Sequence, residues 1–294
     1  MEESAKPASN KSKVFGARLL STLVLWALVA GVFIWGNPYG VGAAIGLLGM
    51  LGLWEWRLLW KAERDDWCLL WMCLVGLGYT AWAVWWLGAR GAVGPDGEWV
   101  AVLLVTMGAF CIRFRKAIEG REAIGSVLVS VFGLIYLGLM FSGSLMRLVA
   151  AGPEVRDGLW FLLVVLVGTK FTDMGAYLVG SLIGKHKMVP HISPGKTWEG
   201  FFGALLIGQG GVWGVKALAG PHLDWVPGGW LLALLGLILS LGAVAGDLAE
   251  SLFKRSLAAK DSGRVLPGIG GVLDLVDSIC FTGPLAWIFL KLFV

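Results

Sequence analysis

The stretch that decides the architecture is GAVAGDLAESLFKRSLAAKDSGRVLPGIGGVLDLVDS, residues 242–278. It begins inside one long apolar run, residues 228–250, and ends inside another, residues 272–293. Between them lie the cations Lys254, Arg255, Lys260 and Arg264, the acid Asp261 and a tight PGIGG turn. Carboxylates stand at both junctions: Asp247 and Glu250 close the first run, and Asp274 and Asp277 open the second. A membrane-spanning helix needs about 20 mainly apolar residues. The segment therefore reads as two membrane helices whose charged ends share one side of the bilayer.

The same pattern fills the chain. Its 294 residues are 57% hydrophobic and 15% charged, with a mean hydropathy of +0.77; soluble domains carry about 25% charged residues. Apolar runs near 15–35, 40–60, 67–88, 98–112, 124–143, 159–183, 198–218, 228–250 and 272–293 predict an all-α, polytopic integral membrane protein with about nine transmembrane helices. Residues 1–13 read as a polar cytoplasmic tail, 14–150 as five spans and 151–294 as four more. The first apolar run is too long for a cleavable signal peptide. Seventeen tryptophans suit interfacial belts, as in WAVWW at 82–86. Cys68, Cys73, Cys111 and Cys280 lie in apolar segments without a CxxC pair, so they read as small packing residues.

Orientation follows from the cations. With a cytoplasmic N-terminus and alternating spans, one side holds Lys6, Lys11, Lys13, Arg18, Arg57, Lys61, Arg64, Arg113, Arg115, Lys116, Arg121, Lys185, Lys187, Lys196, Lys254, Arg255, Lys260 and Arg264, 18 of the 24. The other holds Arg90, Arg147, Arg156, Lys216 and Lys291, and Lys170 lies inside a span. This split obeys the positive-inside rule. The net charge of +4 suits contact with anionic headgroups. No basic arm or nucleic-acid-binding motif is present, so no nucleic-acid partner is expected.

Charges beside spans usually mark a working site. Two clusters qualify, both on the expected cytoplasmic side. The first is TDMGAYLVGSLIGKHKMVPHISPGKTWEGFFG, residues 172–203. Its Lys185, Lys187 and Lys196 suit phosphate oxygens, although a loop that merely sets topology accounts for lysines as well. His186 and His191 have no third ligand at helical spacing and read as exposed loop residues. Lys170 and Asp173, at i and i+3, read as an ion pair within the span. In the second cluster Asp247, Glu250 or Ser251, and Lys254 share a helix face, and Asp274 and Asp277 share another. Paired carboxylates on rigid helix ends, joined by a third from a neighbouring helix, make an oxygen-rich site for Mg²⁺. Cations around such a site are equipment for phosphoryl or nucleotidyl transfer. The competing account gives Asp274 and Asp277 only the positive end of a helix dipole.

The residues carry a resemblance. SLFKRSLAAKDSGRVLPGIGGVLDLVDS, 251–278, resembles the signature of the phosphatidate cytidylyltransferases, or CDP-diacylglycerol synthases: S-x-x-K-R-x4-K-D-x-G/S/A-x2-L-P-G-H-G-G-x-x-D-R-x-D. DMGAYLVGSLIGKHKMVPHISPGKTWEG, 173–200, is similar to a second segment of that family. Two positions depart: Ile269 stands for the usual His, and Leu275 for the usual Arg.

The resemblance implies that CTP and phosphatidate give CDP-diacylglycerol and pyrophosphate. It places the catalytic region in 151–294, with Asp247, Asp274 and Asp277 as Mg²⁺ ligands and a second cation left open. Lys196, Lys254 and Arg255 would join them in catalysis. Ser193, Lys185, Lys187, Thr197, Lys260, Asp261 and Arg264 would bind substrate, with Arg264 or Lys260 covering for the guanidinium missing at Leu275. Capping and binding compete as roles for Asp173, Glu199 and Asp261. The partners would be CTP, phosphatidate and membrane lipids, with a homodimer left open, in a bacterial inner (cytoplasmic) membrane. The alternatives are a CTP-dependent lipid or polyprenol kinase and an ion-coupled transporter.

Overall fold

A computed structural model describes residues 23–61, 64–117, 120–259, 262–263 and 270–294. Nine helices run through them: α1 (Leu23–Trp35), α2 (Pro38–Trp60), α3 (Asp66–Arg90), α4 (Gly97–Arg113), α5 (residues 122–149), α6 (Val155–Ile183), α7 (Trp198–Ala219), α8 (Trp230–Ser256) and α9 (Leu273–Phe293). Each falls on a span expected from the sequence. Seven of them, all but α1 and α4, are long and apolar enough to cross a membrane. The N-terminal tail and Lys260, Asp261, Arg264 and Ile269 lie outside the described residues.

Local chemistry sets the helix starts. Pro38 opens α2, and the Asn37 side chain accepts the amides of Tyr39 and Gly40. Asp65 accepts from Trp67 at the head of α3. Glu154 and Asp157 form a capping box on α6. Between α6 and α7 the chain departs from all-helix. Lys187–Val189 (β1) pairs antiparallel with Ser193–Thr197 (β2), Lys187 facing Thr197 and Val189 facing Ser193. Pro190 and Pro194 bar a helix there.

Two features tie the bundle together. Trp56 of α2, Phe132 and Tyr136 of α5, Phe253 of α8 and Phe281 of α9 form one aromatic cluster with neighbouring centroids 5.5–6.4 Å apart. It joins helices from both halves of the chain. At the second, α8 meets α9 backbone to backbone. A Cβ on Gly246 would lie 2.7 Å from the Asp277 carbonyl oxygen and 2.8 Å from the Ser278 Cα. Only glycine permits that approach.

A third knot ties the loops. The Asp65 carboxylate meets Arg113 at 3.1 Å and Lys116 at 3.0 Å. Burial pushes its pKa up, but the bonds from Lys116, Arg113 and the Trp67 amide outweigh that and hold it below the ordinary carboxylate value. Its stabilisation is therefore complete above the unfolded value of about 3.9 and is lost as pH falls through the lower folded value.

Two outcomes follow. Gly246→Val is expected to cost about 1–3 kcal/mol by overpacking, several degrees of thermal midpoint in detergent. Asp65→Asn is expected to lower stability at pH 7 and flatten its acid-side fall, read from thermal unfolding between pH 7 and pH 3.

Candidate active site

The Gly246 contact places three carboxylates side by side. Asp247 and Glu250 lie at i and i+3 on α8, so they share a face. Asp277 comes from the second turn of α9. One oxygen from each lies within 4.8 Å of the others. Glu250 is only 5% exposed and Asp277 6%. Asp277 also accepts the Ser278 amide at 2.5 Å.

Asp274 turns to a neighbouring position. Its Oδ1 accepts from Lys254 at 2.8 Å and its Oδ2 from the Gly271 amide at 2.7 Å. Lys254 also lies 2.7 Å from Glu250 Oε2. Glu250 thus stands beside Asp247 and Asp277, and Asp274 joins them across the Lys254 bridge. The spacing of Asp247 and Glu250 was the signal for this. Both positions are visible in the sequence, but only the rotation of α8 against α9 selects Glu250.

A second layer surrounds the carboxylates. Lys196, at the base of the hairpin, reaches Asp247 at 2.8 Å and the Val244 carbonyl at 3.3 Å. Lys170 of α6 lies 3.3 Å from Asp173, as the i, i+3 spacing predicts, and donates to the Leu275 carbonyl at 2.9 Å. The Ser278 hydroxyl donates to Asp173 at 3.4 Å. Asp173, Asp247, Glu250, Asp274 and Asp277 face Lys170, Lys196 and Lys254. Five carboxylates against three ammonium groups leave a formal excess of two negative charges. Charge held in a low-dielectric bundle is costly without compensation.

The remaining described candidates lie on or beside the hairpin and at the ends of α7 and α8. Lys185 and Lys187 are exposed on the hairpin, Ser193 is half-buried there, and Arg255 is exposed on the last turn of α8. The Thr197 hydroxyl accepts the Gly200 amide at 3.2 Å and so caps α7. Glu199 accepts the amides of Lys185 and His186, and its Oε1 lies 2.6 Å from His186 Nδ1, which closes the hairpin onto α7. One participant had no sequence signal beyond a lone acid in WEW: Glu55 of α2, 2% exposed, accepts the Leu273 amide at 2.9 Å.

The donor set suits a divalent cation. All three clustered groups are carboxylates, the ligands that hard cations take. Glu250 Oε1 is buried with no hydrogen-bond partner among the described residues, an arrangement that an added cation would satisfy.

A helical membrane bundle with an acidic cluster flanked by lysines has the equipment of enzymes that handle phosphates at a bilayer. Comparison with known proteins narrows the class. Residues 16–293 match the cytidylyltransferase family, and the chain belongs to it. It is 37% identical over 194 residues to a phosphatidate cytidylyltransferase of Staphylococcus epidermidis, covering 64% of this chain and 70% of that protein. It is 34% identical over 223 residues to a phosphatidate cytidylyltransferase of Mycobacterium leprae, and 37% identical over 223 residues to one of Mycobacterium bovis, with 74% of this chain and 70% of the relative covered in each case.

Removing the shared cation tests the network. Lys254→Met leaves Glu250 and Asp274 without their common partner and is expected to destabilise by about 3–5 kcal/mol. Adding Glu250→Gln should recover part of that loss in thermal unfolding, because the two positions are coupled.

Proposed function

We propose that this chain transfers the cytidylyl group of CTP to phosphatidate, yielding CDP-diacylglycerol and pyrophosphate. The observation that carries this reading is the cluster of Asp247, Glu250 and Asp277 within 4.8 Å, flanked by Lys196 and Lys254 at one end of a membrane bundle, in a chain of the cytidylyltransferase family. A lipid phosphate and a soluble nucleotide can meet only where the bundle opens to water. The cation distribution supports assigning that end to the cytoplasm, and relatives from bacteria support a bacterial inner membrane.

Asp247, Glu250 and Asp277 would hold Mg²⁺, and Asp274 would align Lys254 and the start of α9. A bound Mg²⁺ supplies charge neutralisation at the α-phosphate and at the departing pyrophosphate. Lys196 and Lys254, each already paired with a carboxylate, are placed to exchange that contact for a phosphate oxygen. Lys185, Lys187, Arg255, Lys260 and Arg264 would serve as further phosphate contacts, and Ser193 and Asp261 as substrate contacts; Thr197 would act by capping α7 where the hairpin meets it. A phosphatidate oxygen forms the new bond to the α-phosphorus as the bond from that phosphorus to the bridging oxygen of pyrophosphate breaks. A phosphomonoester loses its second proton near pH ~6, so the attacking oxygen is largely ionised at neutral pH and needs no strong base. The four helices of residues 151–294 carry this chemistry.

Purified protein with phosphatidate, Mg²⁺ and CTP tests the reading. Label at the α-phosphate is expected in the lipid. Label at the γ-phosphate there would mean a kinase, and no lipid label would overturn the transfer altogether. Asp247→Asn and Asp277→Asn are each expected to lower kcat by about 10²-fold or more, in keeping with lost electrostatic stabilisation of the transition state, while the thermal midpoint shows a folded protein.

A further inference from the structure

Glu55 belongs to the first five spans, which in sequence spoke only of membrane embedding. It lies near the C-terminal end of α2 and is 2% exposed. Its Oε2 accepts the amide of Leu273 at 2.9 Å, a contact between residues 218 positions apart. Leu273 is the first residue of α9, and the residue before the helix, Val272, offers no side-chain acceptor. The first amides of a helix lack partners within it, so α2 supplies the cap that α9 does not carry itself. Asp274 follows in the same turn and Asp277 in the second.

The surrounding chain is shaped to admit this carboxylate. A Cβ on Gly263 would stand 2.6 Å from Glu55 Oε1, and one on Gly271 would stand 2.5 Å from Oε2. Gly271 is also the residue whose amide Asp274 accepts. On the other side, Trp56 packs edge-on against Phe253 at 5.5 Å, and Phe253 precedes Lys254. Glu55 Oε1 has no hydrogen-bond partner among the described residues. A buried acceptor costs free energy unless a donor satisfies it, and more when it is charged. A leucine would fill the same space without that cost, so packing alone does not account for a glutamate.

We propose that Glu55 is a positioning residue for the transfer reaction. Its carboxylate fixes the first turn of α9 and so sets where Asp274 and Asp277 stand relative to Asp247 and Glu250. This inference rests on the reading of that cluster as the cytidylyl-transfer centre. It makes the N-terminal half of the chain part of the site's geometry, although no described residue of that half lies in the carboxylate cluster. The aromatic cluster around Trp56 remains when Glu55 is changed, so the bundle holds while the carboxylates lose their register. The expected consequence is a weaker grip on the divalent cation.

The test uses the full chain in detergent with phosphatidate and α-labelled CTP. A wild-type protein that fails to label lipid over the whole Mg²⁺ range sinks the transfer reading itself. With an active wild type, Glu55→Leu is expected to raise about tenfold, equivalent to ~1.4 kcal/mol, the Mg²⁺ concentration both for half-maximal rate and for the half-maximal Mg²⁺-induced rise in thermal midpoint without substrates. The KM for phosphatidate at saturating Mg²⁺ is expected to stay within about twofold. Glu55→Gln keeps an acceptor oxygen for the Leu273 amide and is expected to restore the Mg²⁺ dependence toward wild type. Gly263→Ala, which displaces the carboxylate without removing it, is expected to shift that dependence in the same direction as Glu55→Leu, and it carries the comparison if Glu55→Leu does not fold. An unchanged Mg²⁺ dependence in Glu55→Leu, or in Gly263→Ala where that variant stands in, overturns the proposal even if the thermal midpoint falls. A Glu55→Gln protein as impaired as Glu55→Leu overturns it too.

Discussion

Where Gly246 of α8 rests on the backbone of Asp277 in α9, two membrane helices touch with no side chain between them. Everything at the site depends on that contact. It brings Asp247 and Glu250 beside Asp277, with one oxygen from each within 4.8 Å of the others. A single methyl group there would meet main-chain atoms, which cannot rotate away.

The contact concentrates negative charge in an apolar medium, and the rest of the site answers it. Lys196 comes from the hairpin, Lys254 from α8 and Lys170 from α6, each within 3.3 Å of a carboxylate. Ser278 and Gly271 add backbone amides. Counted formally, three ammonium groups stand against five carboxylates, and the clustered oxygens are of the kind that hard cations take. Lys254 bridges Glu250 and Asp274 and so offsets part of the repulsion between the acids.

Much of this was legible in the sequence. Helix number and placement follow from apolar runs of membrane length, because lipid forces each backbone amide to be satisfied within its own segment. The site's location followed from charge standing where charge is costly. The hairpin between β1 and β2 left a weaker trace, two prolines in a polar loop. The identity of the third clustered acid was less accessible. Spacing put Asp274 and Asp277 on one face and Asp247 and Glu250 on another, and nothing in either pattern says how the two helices are rotated together. Glu55 left almost no trace, since a lone acid among tryptophans at a membrane boundary reads as an interfacial residue.

The sequence by itself determined the membrane architecture and the family, because these depend on composition and on residues close together in the chain. The tertiary structure alone decided which acids converge, which lysine bridges them and that α2 caps α9. Those are contacts between helices far apart in sequence, and they are set by close packing at Gly246 and around Trp56, to which helical periodicity is blind.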